Sequence, residues 1–83
     1  MSDQTSDIET RLKTVLSQLL SISIEAINDD LSPDTIDTWD SVTHMNLVMA
    51  LEEEFRIQFT EVQIVEMMNY ALIRNILKEQ LVN

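Results

Sequence analysis

DTWDSVTHMNLVMALEEEF, residues 37–55, carries the clearest helical signal in the chain. At about 100° per residue, Leu47, Val48, Leu51 and Phe55 fall on one side, and Val42, Met45 and Met49 carry the apolar arc round to the flank. Asp40 stands where an N-cap belongs, with its charge beside the positive end of the helix dipole. A helix over 40–55 follows, with Ser41 at its start. Its polar wedge is narrow: Thr43, Asn46, Ala50, Glu53 and Glu54. Val42, Met45 and Met49 are therefore either buried by a second neighbour or exposed for a partner.

Upstream, Ile8, Leu12, Val15, Leu16 and Leu19 recur at helical spacing between Asp7 and Leu20. Ser6 and Glu9 fit a capping box opening that helix, and residues 1–5 form a polar tail expected to be disordered. The domain boundary then falls at residue 6, with 6–83 forming a single domain. Residues 21–39 are polar, with Asn28, Asp29, Asp30, Ser32, Pro33 and Asp34, and are pinned by Ile22, Ile24, Ile27, Leu31 and Ile36. So long a connection in a compact domain has a job or hides a short helical turn.

Downstream, FRIQF, residues 55–59, alternates like a strand, but no second strand exists to pair with it. It is expected to be an extended connector with apolar anchors. Thr60 and Gln63 form a capping box for a short helix carrying Ile64, Val65, Met67 and Met68. Asn69 can cap a last helix whose inward stripe is Ile73, Ile76, Leu77 and Leu81. The expected fold class is all-α: a four-helix bundle with a long loop between helices 1 and 2 and a short helix 3.

Composition narrows the function. The chain has 83 residues, no Cys and no Gly, and its only Pro is Pro33. Disulfides, thiol chemistry and phosphate-cradling glycine loops are out of reach. With 5 Lys plus Arg against 15 Asp plus Glu, the net charge of −10 repels nucleic acid and anionic membranes. The longest wholly apolar run, Leu47–Leu51, falls far short of the roughly 20 residues that span a bilayer. No basic region followed by an apolar stretch opens the chain. A cytoplasmic monomer with basic protein partners is the expectation.

Asp40, Ser41 and His44 are the side-chain types of a hydrolytic triad. Geometry opposes that assignment: Asp40 adjoins the serine in sequence, no glycine loop offers an oxyanion hole, and the chain leaves little room for a substrate cleft. No catalytic residue is assigned, and His44 is expected to be a solvent-facing helix residue. The acidic loop also fails as an EF-hand. Counting from Asn28, the sixth and twelfth residues are Pro33 and Trp39; counting from Asp30, they are Thr35 and Ser41, where glycine and glutamate are needed. No metal site is assigned.

DSVTHMNLVMALEEEF, residues 40–55, resembles the signature of the acyl carrier proteins, in which an Asp-Ser-Leu triplet opens helix two and acidic residues with an aromatic close it. LVMALEEEF is an especially close match, and IQFTEVQIVEM, residues 57–67, is similar to that family's run into helix three. The resemblance covers about residues 6–81. It implies that Ser41, preceded by Asp40, is where a phosphopantetheinyl transferase attaches 4′-phosphopantetheine from coenzyme A, using a divalent metal. The arm's thiol then carries an acyl or aminoacyl group as a thioester. A phosphate at the start of a helix is electrostatically favoured, and a flexible tether presents cargo at high effective concentration. The alternative is an unmodified acidic helical interaction module.

Glu52, Glu53 and Glu54 oppose the helix dipole and one another, so they are either a solvated face or a docking surface. The resemblance implies the second: Val42, Met45, Met49, Glu52 and Glu53 face the basic patches of loading and downstream enzymes. Met45, Met49, Met67 and Met68 are ordinary filling or a soft core that opens for an acyl chain. Val42 replaces the usual leucine, Thr43 and Asn46 stand where carriers of fatty acid synthesis are commonly acidic, and the approach DTWD, residues 37–40, stands where they often have a glycine, which places Trp39 beside the attachment point. These departures favour a specialised carrier, in lipid or secondary metabolite biosynthesis, over the housekeeping one. Trp39 either anchors the loop or meets the arm or a partner.

Overall fold

The computed structural model describes residues 4–82, and among them are four α-helices and no strand. They are α1 (Gln4–Leu20), α2 (Ser41–Phe55), α3 (Glu61–Glu66) and α4 (Tyr70–Val82). The expected all-α fold is observed, with α1 packed on α2 and α4, and α3 on α4. The core is apolar because the three longer helices each turn one stripe inward: Leu12, Leu16 and Leu20 from α1, Leu47, Val48, Leu51 and Phe55 from α2, and Ile73, Ile76 and Leu77 from α4.

α1 begins a turn earlier than the sequence suggests. It takes in Gln4 and Thr5, which the sequence assigns to the tail, and Ser6 lies within the helix instead of capping it. Asp7 falls in the first turn, where a negative charge favours the helix dipole. Residues 1–3 lie outside the described residues.

Two helices end in a way that a glycine-free chain finds difficult. Ser21 and Arg56, just after α1 and α2, both adopt left-handed φ values, 59° and 56°. The reward is a closed helix end: the Ile22 amide reaches the Ser17 carbonyl at 3.2 Å, and the Ile57 amide reaches the Glu52 carbonyl at 3.1 Å. The left-handed conformation costs a residue with a Cβ about 1 kcal/mol.

The long connection hides a single 3₁₀ turn, Ile24–Ala26. Ile27, Leu31 and Trp39 anchor it in the core, whereas Ile24 is exposed. Its polar residues close local turns on themselves: the Asn28 carboxamide oxygen accepts from the Asp30 amide, and the Ser32 hydroxyl from the Asp34 amide. Thr38 donates its hydroxyl to the Leu20 carbonyl at 2.7 Å, stitching the end of the loop to the end of α1.

The connector expected over 55–59 begins later, because Phe55 closes α2 and Arg56 is left-handed; residues 57–60 follow, with Phe59 buried and Ile57 half-buried. The Thr60–Gln63 capping box is present in full, and the Asn69 side chain accepts from the Leu72 amide at the start of α4. α3 stops at Glu66, so Met67 and Met68 lie beyond it, the first buried and the second exposed.

Candidate functional site

Ser41 is the first residue of α2 and is exposed. Asp40 caps the helix, its carboxylate accepting from the Thr43 amide at 2.8 Å while its carbonyl accepts from the His44 amide at 2.8 Å. The bonds from Thr43, backbone first, hold the Asp40 carboxyl below its ordinary value, because they favour the charged form. This local geometry follows directly from an Asp-Ser pair ahead of an apolar-periodic run.

His44 departs from expectation. It is half-buried, and both ring nitrogens are engaged. The Trp39 indole N–H donates to His44 Nδ1 at 3.1 Å, and His44 Nε2 lies 3.1 Å from the Ile64 carbonyl oxygen in α3. An indole N–H can only donate and a carbonyl can only accept, so the ring is neutral with its hydrogen on Nε2. The two rings stack with centroids 6.2 Å apart and planes 22° apart. Trp39 and His44 occupy the positions just before the cap and four residues after it, where a hydrophobic staple pins the entering chain to its helix. That spacing was the signal available in the sequence. With both nitrogens taken and the Asp40 carboxylate turned to Thr43, neither group is set to accept the proton of Ser41.

Beside Ser41 lies an open cleft of about 460 Å³, lined by Pro33, Trp39, Asp40, His44, Met45, Met67 and Met68 as well as the serine itself. Trp39 is buried and forms part of its wall, so it serves as the loop's anchor. Two of the four methionines considered from sequence, Met67 and Met68, and a third, Met45, line this cleft, while Met49 does not.

The choice left open for the flank of α2 is decided by exposure: Val42 is 70%, Met45 48% and Met49 57% exposed. Among the described residues, no helix buries them.

The three glutamates separate. The Glu52 carboxylate accepts from the Phe59 amide at 2.9 Å and so holds the connector against α2. Glu54 meets Arg11 of α1 through its carboxylate at 2.9 Å and its carbonyl at 2.8 Å, with the Arg11 guanidinium 4.4 Å from the centre of the Phe55 ring. Two charges that look unfavourable on an isolated helix are thus matched across the fold. Glu53 alone of the three is exposed without a partner among the described residues.

Among the described residues, no three His, Cys, Asp or Glu side chains converge as metal ligands, and no helix is long and apolar enough to cross a membrane.

No protein-family model matches the chain. It is 34% identical over 61 residues to the acyl carrier protein of Buchnera aphidicola subsp. Schizaphis graminum (strain Sg), an alignment covering 66% of this chain and 70% of that protein. The helical fold, the exposed serine after the Asp40 cap and this likeness agree. The chain belongs to the acyl carrier protein family.

Proposed function

We propose that this chain is a carrier, not a catalyst: with a phosphopantetheinyl transferase the Ser41 oxygen displaces adenosine 3′,5′-bisphosphate from the pyrophosphate of coenzyme A and takes up 4′-phosphopantetheine as a phosphodiester, and an acyl or aminoacyl group rides on the arm's thiol as a thioester. The observation that carries this is the placement of Ser41, exposed at the first position of α2 immediately after the Asp40 cap, in a chain of this family. The site fits such an arm. Its phosphate leaves the serine at the positive end of α2, and its pantetheine portion has the apolar wall of Trp39, Met45 and Met67 to lie against.

Docking is proposed on the exposed flank of α2. Val42, Met45 and Met49 supply apolar contact, and Glu53 supplies an unmatched charge for a basic patch on the transferase and on the loading and downstream enzymes. Glu52 contributes from a carboxylate already tied to Phe59. The uncharged Thr43 and Asn46 on this helix support a specialised carrier, and a monomer in the cytoplasm is proposed with it.

The test is labelling by a fluorescent coenzyme A analogue with magnesium and a broad-specificity transferase, on wild type and on Ser41→Ala. Wild type takes one label and the variant none, with unchanged helical circular dichroism in both. An unlabelled wild type would favour an unmodified acidic interaction module instead.

A further inference from the structure

α3 is the least secured helix. It has six residues, none of them buried, and Val62 and Val65 face outward. Its N-terminal end is tied to α4, because Gln80 donates to both the Gln58 carbonyl and the Gln63 side-chain oxygen. Its C-terminal end meets α2 through a polar link, His44 to the Ile64 carbonyl. That carbonyl also accepts the Met67 amide at 3.3 Å, so the imidazole takes up its second lone pair at the end of the helix. The other nitrogen of the same imidazole receives the indole N–H of Trp39, which is only 2% exposed and would otherwise face the penalty of a buried, unpaired donor. One ring thus bonds the end of the long loop and the end of α3, and it stands in the wall of the cleft beside Ser41.

We propose that His44 is a positioning residue, a latch that fixes α3 against the start of α2 and sets how readily the cleft beside Ser41 opens to a chain carried on the arm. The second half rests on the carrier function proposed above. With the latch closed, the cleft keeps its present width, and cargo that fits beside Met45 and Met68 leaves the link intact. A longer chain entering between α2 and α3 must part His44 from Ile64 and loosen the hold on the Trp39 N–H. The latch therefore opposes sequestration of long chains and leaves short ones unaffected. Gating of this kind needs a donor and an acceptor on one side chain, which imidazole in its Nε2–H form supplies and a hydrocarbon does not.

The experiment has two arms. In the unmodified protein, amide hydrogen exchange is followed in wild type, His44→Ala, His44→Gln and Trp39→Phe. Loss of the latch in His44→Ala speeds exchange at residues 64–67 by about ten-fold, while α1 and α4 change by less than about two-fold. His44→Gln, with one acceptor and one donor, restores part of the protection. In Trp39→Phe the imidazole nitrogen shifts move away from a fixed Nε2–H signature. Uniform acceleration across all helices, or unchanged exchange in α3, overturns the latch; if His44→Ala does not fold, the other two variants decide the matter. In the second arm the loaded protein carries acetyl or octanoyl, and thioester cleavage by hydroxylamine is timed. His44→Ala protects octanoyl several-fold more than wild type does and leaves acetyl unchanged. An equal octanoyl-to-acetyl ratio in the two proteins overturns the gating. A chain that accepts no arm sinks the carrier function and the gating together, while the exchange arm still decides the latch.

Discussion

α1 and α3 are built on opposite terms. α1 runs for 17 residues and sinks Leu12, Leu16 and Leu20 completely, and its Arg11 and Glu9 reach Glu54 of α2 and Lys78 of α4. α3 runs for six residues, buries none, and turns Val62 and Val65 to solvent. The first is held by packing, which is cooperative and hard to change; the second by one half-buried apolar side chain, Ile64, and a few polar links, which can be made and broken.

The sharpest way to break that contrast is truncation on each side of it. Leu16→Ala removes a fully buried side chain and should lower unfolding free energy by about 2–5 kcal/mol, a large part of what a domain of this size possesses. Val65→Ala, at a residue 71% exposed, should shift it by no more than about 0.5 kcal/mol. Urea denaturation of both variants measures the difference. Equal losses would mean that α3 is as deeply integrated as α1.

Within α2 the contrast runs along the glutamates. Glu53→Lys should weaken association with the transferase about two- to five-fold at low salt and leave the melting temperature unchanged, because the carboxylate has no partner among the described residues. Glu52→Lys should weaken association and lower the melting temperature as well, since it abandons the Phe59 amide. If both variants melt alike, the structural role of Glu52 is wrong.

A smaller effect comes from the left-handed helix ends. Ser21→Gly relieves the Cβ penalty after α1 and should stabilise the protein by about 1 kcal/mol or somewhat less in chemical denaturation. A destabilised variant would show that the Ser21 side chain matters more than its backbone.

The smallest is a pH effect at the start of α2. The folded-state pKa of Asp40 lies below its unfolded value, so its stabilising contribution is present above the unfolded value and fades as pH falls through the folded one. Below about pH 4 the melting temperatures of wild type and Asp40→Asn should therefore converge. A constant difference down to pH 2 would contradict the cap's charge dependence.

Much of the fold was legible because its signals are local. The Asp40 cap, the Thr60–Gln63 box, the Asn69 cap and the stripe of α2 each lie within one or two turns, and all are present. Ser41 was legible for the same reason, as a serine between a capping aspartate and an amphipathic run. Long-range matches were not legible. Glu54 looks unfavourable until Arg11, 43 positions away, is brought against it. His44 looks solvent-facing until the loop sets Trp39 on one nitrogen and α3 sets Ile64 on the other. The left-handed Ser21 and Arg56 carry none of the glycine signature that would have announced them.

Attachment at Ser41 is open to direct measurement by mass. The wild-type chain is incubated with coenzyme A, magnesium and a broad-specificity phosphopantetheinyl transferase, and the intact protein is weighed and fragmented in the mass spectrometer. A single added phosphopantetheine is expected, with the fragment boundary placing it between Asp40 and Val42. No adduct, or an adduct on any other residue, would contradict it.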